Sequence, residues 1–290
     1  MKASILLTGS TGFIGSNILK FLLKKNFRIY DILIIKNKNK NFLNKLEKKK
    51  NYFPIFYKTF NDLNSTLKKV DIDIVINCAT HYSNANDVKT IQKLIKTNIV
   101  FCSIILEVLK KKIKKFINFG SMMEYSNGNY FSPRNLYAVT KYCFQKIEEF
   151  YKLNNKNIKF YNLKLYETYG DDDKRNKLIP TIINKHKNNK KIEIVSTNLR
   201  MNFVHIESLT KVVSIIISRK IKEGEYLIKN KKNISIKKMI DMINRKIKKK
   251  IKTKYLSSKK LYNSTSKLKK FPNWNDEKSL EDFLINQIKN

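Results

Sequence analysis

The chain has 290 residues, 42% of them hydrophobic, and a formal charge of +38, enough apolar material for one large core or two small ones. No apolar run reaches the length of a bilayer-crossing helix, and the first strand starts too close to Met1 for a signal peptide, which points to a cytoplasmic protein. The charge alone would indicate nucleic acid. However, the 61 cations include only six arginines, Arg28, Arg134, Arg175, Arg200, Arg219 and Arg245. Readers of phosphate and base edges draw on the arginine fork, so the lysines are read as a solvated surface, with no nucleic-acid and no membrane partner expected. Cys78, Cys102 and Cys143 lack paired spacing and His81, His186 and His205 are scattered, so no metal site is expected.

The first element is a short apolar strand, Ala3–Leu7, of the kind buried in a parallel sheet. A turn holding Gly9, Gly12 and Gly15 follows, three of the chain's seven glycines within seven residues. A helix over Phe13–Lys25 then carries Phe13, Ile14, Ile18, Phe21 and Leu22 on one face. Strand, glycine turn and helix place backbone amides where a pyrophosphate can meet them at the helix start. Gly9, Thr11, Gly12, Phe13, Ile14 and Gly15 are therefore assigned to NAD or NADP. Further strands are expected at Tyr30–Ile35, Ile55–Tyr57, Ile74–Asn77, Phe116–Phe119 and Lys159–Leu165. Helices are expected at Asn41–Lys50, Val88–Lys111 and Tyr137–Leu153. The alternation predicts an α/β fold, a Rossmann-type parallel sheet with flanking helices. Beyond Gly170 it loosens. Residues 1–170 are read as the dinucleotide-binding and catalytic part. Residues 171–290 are read mainly as a small substrate-binding cap, with parts returning to the sheet and amphipathic helices at Lys231–Lys250 and Ser279–Ile288. The second strand runs into Lys36-Asn-Lys38-Asn-Lys40, where NAD enzymes place an acid. A cationic loop led by Lys36 suits a 2′-phosphate, which favours NADP over NAD.

Tyr137-Ala-Val-Thr-Lys141 sets a phenol and an ammonium on one helix face. Three Tyr-x-x-x-Lys pairs occur, no more than this composition produces by chance. The first is distinguished by Phe116-Ile-Asn-Phe-Gly-Ser121, a strand ending in a hydroxyl at the same sheet edge as Gly9. A phenol acting as base near neutrality needs its pKa lowered by roughly 3 units, about 4 kcal/mol. One ammonium at ~4 Å supplies about that at an effective dielectric of ~20. Lys141 is expected to lower the Tyr137 pKa and hold the nicotinamide ribose, and Ser121 to hydrogen-bond the reacting oxygen.

With these motifs the chain resembles the extended short-chain dehydrogenase/reductases of the NAD(P)-dependent sugar-nucleotide epimerase/dehydratase family. The likeness spans Thr8-Gly-Ser-Thr-Gly-Phe-Ile-Gly15, Asp62-Leu63, Asn77-Cys-Ala-Thr80, Asn98, Ser121/Tyr137/Lys141, Tyr169-Gly170, Leu178-Ile-Pro180 and Phe203-Val-His-Ile-Glu207. It implies oxidoreduction at C4 of a nucleotide-diphosphate sugar, with Ser121, Tyr137 and Lys141 catalytic. It also implies that Asp62 and Leu63 lie at the adenine, that Cys78, Ala79, Thr80 and Asn98 lie along the cofactor, and that a homodimer forms through the helices around Val88–Lys111 and Tyr137–Leu153. Family dehydratases carry Thr-Asp-Glu where this chain has Ser121-Met122-Met123, and Glu124 comes one residue later, which argues against dehydration and against the related decarboxylases. The Asn162-to-Pro180 stretch looks most like 4-ketoreductases of the CDP-abequose synthase kind. The favoured activity is therefore a 4-keto-deoxysugar-nucleotide reductase for polysaccharide precursors; a 4-epimerase and a non-catalytic dinucleotide binder are the alternatives. Two departures stand out: Glu167 replaces the family's Asn, and Met201 its Arg. Arg200 is adjacent, but one strand step reverses the face. His81, Met122, Met123, Glu167, Lys177 and Arg200 are the candidates for substrate contact.

Overall fold

The structure, a computed structural model, describes residues 3–34, 46, 48–85, 87–126, 130–231, 233–258, 268–276 and 278–289. Short apolar runs form β1 (Ser4–Thr8), β2 (Arg28–Ile34), β3 (Tyr52–Tyr57), β4 (Ile74–Asn77), β5 (Lys115–Ser121) and β6 (Lys159–Leu165). Between them lie α1 (Phe13–Lys24), α2 (Phe60–Lys68), α3 (Val88–Ile95), α4 (Cys102–Leu109) and α5 (Leu136–Asn154). Then follow β7 (Glu167–Tyr169), α6 (Leu178–Lys187), β8 (Ile192–Ile194), β9 (Arg200–Met201), β10 (Phe203–His205) and α7 (Ile206–Ser218). The chain closes with β11 (Gly224–Ile228), β12 (Ile234–Ser235), α8 (Ile236–Lys246), β13 (Thr253–Tyr255) and α9 (Leu280–Lys289).

Seven strands pair in parallel in the order β11-β6-β5-β4-β1-β2-β3. The strand order reverses between β1 and β4, so their carboxyl ends diverge into a crevice where α/β sheets of this kind bind ligands. Ile5, Leu6 and Leu7 have no exposure, as a central parallel strand covered on both faces requires. Ile5 and Leu7 join the cluster of Ile18 and Leu22 of α1 with Leu209 and Val213 of α7. Leu6 points the other way, to Leu63 of α2, Leu106 of α4 and Phe144 of α5. Each such side chain contributes ~1.5–3 kcal/mol on burial.

The expected strands form with ends shifted by a few residues at most. β3 starts at Tyr52 rather than Ile55, and accommodates Pro54 because it is the sheet's edge. Ile35, Lys36 and most of the helix expected over Asn41–Lys50 lie outside the described residues. The single helix expected over Val88–Lys111 is interrupted by a π-turn, Lys96–Phe101, and the one expected over Lys231–Lys250 shortens to α8, which Ser235 caps by accepting the Lys238 N–H. β11 returns from the second half of the chain to extend the sheet beside β6. The later elements pair as β10-β7, β12-β9 and β13-β8 around their own apolar cluster, which includes Tyr169, Phe203, Ile240 and Leu284.

One level of the sheet is polar. Thr8, Asn77, Asn118 and Asn162 are direct neighbours across β1, β4, β5 and β6. Thr8 Oγ1 donates to Asn77 Oδ1 at 2.9 Å, and Asn77 Nδ2 to Asn118 Oδ1 at 3.1 Å. The amides of Asn118 and Asn162 both donate to Glu148 of α5, at 3.2 and 2.8 Å. Burial pushes the Glu148 carboxyl up to about 7, against those bonds and the nearby lysines 164 and 141. Among the described residues no helix is long and apolar enough to cross a membrane, and no group of His, Cys, Asp and Glu could hold a metal ion.

Candidate active site

The glycine turn is shaped by close approach. Gly9 has φ +70°, and a Cβ there would lie 2.6 Å from the Ala79 nitrogen. A Cβ on Gly15 would lie 2.1 Å from the Gly9 oxygen, so the helix packs directly on the turn. Gly12 differs: its Cβ would meet only the Gly9 oxygen, at 3.4 Å, and otherwise open space. Gly12 is also the N-cap of α1, with no side-chain cap and no acid in the first turn. The amides at this helix start are thus left to an outside anion, and these residues fit a dinucleotide pyrophosphate.

Asn98, inside the π-turn, organises the segment after β4. Its Oδ1 accepts from Thr80 Oγ1 (3.1 Å) and from the His81 N–H (2.7 Å). Its Nδ2 donates to the His81 carbonyl (3.0 Å) and to Thr140 Oγ1 (2.9 Å). The π-turn is the local irregularity that carries this amide, a common use of such bulges. Thr8 Oγ1 accepts the Ala79 N–H at 3.0 Å, tying the same segment to β1. The Cys78 thiol lines the cavity and is pushed up by burial, so it stays protonated. Asp62 closes a capping box with Thr59 at the start of α2, and Leu63 is fully buried beneath it. Asp31, which sequence reasoning passed over, is buried in β2 and accepts the Tyr52 hydroxyl at 2.8 Å. Burial raises its carboxyl to about 6.

Ser121, Tyr137 and Lys141 line one cavity of about 1070 Å³ at the carboxyl edge of the sheet. Ser121 ends β5 and opens a 3₁₀ turn, Met122–Glu124. Its Oγ accepts the Met123 N–H at 3.2 Å, which leaves the hydroxyl proton free to donate into the cavity. Tyr137 lies in the first turn of α5, which Asn135 caps by accepting the Ala138 N–H at 3.0 Å. The Tyr137 ring meets Tyr82 edge-on at 5.0 Å. Lys141 follows one turn later and is buried. The sequence led us to expect a lowered Tyr137 pKa. The structure shows the reverse: burial raises it well above the usual phenol range, Glu124, Tyr82 and Glu167 add to the rise, and a Thr80 hydrogen bond opposes it. Burial likewise lowers the Lys141 ammonium below its ordinary value. Desolvation is the largest cause for both groups, so the phenol is held protonated.

Met122, Met123, Glu167, Lys177 and Arg200 all line the cavity. Lys177 pairs with Glu167 at 3.2 Å and stands 4.5 Å from the Tyr82 ring centre. Arg200 also donates to the Asn233 carbonyl at 3.1 Å, and Met201 shares the wall. His81 takes no part in that wall; its backbone is held by Asn98 and its neighbours Thr80 and Tyr82 form the lining. Sequence reasoning missed Arg134 and Arg175. A signal existed: three of only six arginines in a lysine-rich chain line this cavity. Arg175 stacks 4.1 Å over Phe13 and is held by Asp173 and Thr168, clamping the segment after β7 against the start of α1.

A family model for the NAD dependent epimerase/dehydratase family matches residues 5–228. The chain is 30% identical over 218 residues to a CDP-abequose synthase of Yersinia pseudotuberculosis, covering 74% of this chain and 73% of the relative. It is 25% identical over 251 residues to a CDP-abequose synthase of Salmonella muenchen, covering 84% and 81%. Among solved structures, a UDP-glucuronic acid 4-epimerase from Bacillus cereus in complex with NAD superposes with a TM-score of 0.82 at 22% identity, covering 99% of this chain and 98% of the other. A UDP-N-acetylglucosamine 4-epimerase from Methanobrevibacter ruminantium M1 gives 0.80 at 20% identity, covering 100% and 98%; at these identities the likeness is one of fold. The chain belongs to the NAD dependent epimerase/dehydratase family of short-chain dehydrogenase/reductase enzymes.

Proposed function

We propose that the protein reduces the 4-keto group of a nucleotide-activated deoxysugar. The observation that carries this reading is a phenol and a free serine hydroxyl beside a methionine wall in one cavity, where burial favours the protonated phenol. A bound nicotinamide dinucleotide supplies the hydride equivalent. Ser121 donates its hydroxyl hydrogen to the C4 oxygen and orients it. Tyr137 delivers its proton to that oxygen as negative charge builds there. Lys141 holds the ribose and stabilises the phenolate left behind. Met122 and Met123 offer no acid–base pair for loss of water, and their apolar surface suits a deoxygenated carbon. Arg134, Arg200 and Lys177 supply donors for a diphosphate, the arginines in the bidentate form that such groups favour. The relatives named CDP-abequose synthase support the same direction.

NADPH is the proposed reductant. The carboxyl end of β2 carries Leu33 and exposed Ile34 ahead of the lysine-rich sequence that begins at Lys36, and Asp31 is turned inward to Tyr52. Titration with NADH and NADPH checks this; equal affinities overturn it. A homodimer is proposed through α3, α4 and α5 with the intervening π-turn, where Val88, Ile95, Val100, Phe150 and Leu153 are exposed; sedimentation at micromolar concentration tests it. The reaction is tested by incubating the protein with a panel of nucleotide 4-keto sugars and NADPH. Loss of reduced-dinucleotide absorbance with one of them is expected. Interconversion of C4 epimers without added reductant would identify an epimerase instead, and tight dinucleotide binding without either reaction a non-catalytic member.

A further inference from the structure

Directly behind Ser121 lies a pair of opposite charges that the proposed reaction does not use. Glu124 ends the 3₁₀ turn, Lys164 sits on β6, and both side chains have 0% exposure. Glu124 Oε1 accepts the Ser121 N–H at 2.7 Å, while Oε2 is in contact with the Lys164 ammonium. Lys164 also donates to Gln145 Oε1 of α5 at 2.6 Å and reaches Glu225 Oε1 of β11 at 3.2 Å. Glu225 in turn accepts the Tyr125 hydroxyl at 2.9 Å.

The sheet is cut to admit this pair. Gly120 is the β5 neighbour of Lys164. A Cβ at Gly120 would come within 2.6 Å of Lys164 Cδ and 2.9 Å of its Nζ. The missing side chain leaves the lysine a passage to Glu124. Burying two charges is costly even when they are paired, and well-packed apolar residues often do as well or better. Stability is therefore a poor reason for this arrangement beside the serine.

We propose that Glu124 and Lys164 are positioning residues of the active site: Glu124 fixes the Ser121 main chain and places a negative charge behind the Tyr137 phenol, and Lys164 holds that charge in place. The groups facing Tyr137 are Glu124, Tyr82, Glu167 and the Thr80 hydroxyl, with Lys141 one turn along α5 and Lys177 over the Tyr82 ring. Those around the pair are Glu225, Tyr125 and Gln145, with Lys141 and Glu148 on α5. Of the charged neighbours of the phenol, Glu124 contributes most to keeping it neutral.

The role in catalysis rests on the C4 reading; the electrostatic role does not. The test is Glu124→Gln, which keeps an acceptor for the Ser121 N–H and removes the charge, together with Glu124→Gln/Lys164→Met, which leaves neither partner as an unpaired buried ion. Tyrosinate absorbance is titrated in the complex with oxidised dinucleotide, with Tyr137→Phe as the blank that isolates this phenol. The single variant is expected to titrate lower than the parent, and the double variant, which also loses the opposing Lys164 charge, lower by a smaller margin. With an active substrate, the alkaline limb of the pH profile moves the same way, with KM and dinucleotide affinity unchanged. A shift in the double variant alone, where the single does not fold, upholds the proposal. Titrations that coincide with the parent in folded variants overturn it. Because the titration needs no sugar, a protein inactive on every 4-keto substrate still answers it.

Discussion

Replacing Gly15 by alanine probes the seat of the dinucleotide. The new Cβ would stand 2.1 Å from the Gly9 oxygen and 2.6 Å from its carbonyl carbon, both backbone atoms that no rotamer change can clear. Restoring an ordinary contact of 3.4 Å moves α1 back by about 1.3 Å. Overpacking of this kind costs ~1–3 kcal/mol. At about 2–4 °C per kcal/mol for chains somewhat shorter than this one, the melting temperature drops by several degrees. The helix-start amides move with the helix, and each charge-assisted bond they lose to a pyrophosphate is worth ~1.5–3 kcal/mol, roughly 10- to 100-fold in affinity. Gly12→Ala is the matched control. Its backbone, φ −86° and ψ 167°, suits any residue, and its Cβ meets the protein only at 3.4 Å. Gly12→Ala should therefore melt with the parent yet bind NAD or NADPH at least tenfold more weakly, by roughly 1.4 kcal/mol. Calorimetric melting and dinucleotide titration on the three proteins provide the comparison. A Gly15→Ala protein that melts and binds like the parent, or a Gly12→Ala protein equally unstable, would refute the reasoning.

Tyr137→Phe removes the proton donor alone, so turnover should fall at least ~10²-fold while dinucleotide affinity stays within about twofold; retained turnover would move the proton donor elsewhere. Asp31→Asn separates burial from charge. Its carboxyl is raised from 3.8 to about 6, so the folded state binds the proton more tightly than the unfolded chain, and stability is lost as pH rises between those values. Two units correspond to about 3 kcal/mol at most. In urea unfolding the Asn variant should match the parent near pH 4 and exceed it above pH 7; a gap independent of pH would contradict this. Asn98→Ala leaves the His81 N–H and carbonyl without their side-chain partner, so about 1–3 kcal/mol of stability should go. Dinucleotide affinity should fall with it, since the Thr80 segment loses its anchor; a fall in stability with affinity untouched would separate that segment from the cofactor.

Much of the sheet was legible because its strands are continuous apolar runs: Ile74–Asn77 and Lys159–Leu165 form as read, to the residue. Ser121 and the Tyr137/Lys141 pair were legible for a related reason, each lying at the end or start of an element whose period is visible locally. What escaped is what the chain order hides. A return of the second half to the sheet was expected, but not which segment makes it: β11 is a five-residue strand whose partner, β6, lies some 60 residues earlier, and nothing in Gly224-Glu-Tyr-Leu-Ile228 singles it out. Glu124 and Lys164 are separated by 40 residues, and in this lysine-rich chain a lysine within a strand carries no signal. Asp31 was overlooked because an acid was sought at the end of β2, whereas burial of Asp31 follows from its place opposite Leu7 in the sheet. The lowered phenol pKa was expected from one favourable charge; the desolvation that raises it becomes visible only once Tyr137 is placed in the cavity.

The polar level of Thr8, Asn77, Asn118 and Asn162 has a consequence for how the chain finds its fold. Apolar strands such as β1 and β4 are buried on both faces, so sliding one past the other by a residue exchanges one hydrophobic side chain for another at little cost. The asparagines remove that tolerance. A slip of one residue turns each amide to the opposite, apolar face, and a slip of two parts it from its partner, stranding buried donors and acceptors at about 1–3 kcal/mol each. Four strands are thereby locked in register at one level, which ends β1 and β4, where the glycine turn and the Asn98-held segment depart, and lies short of Ser121 in β5.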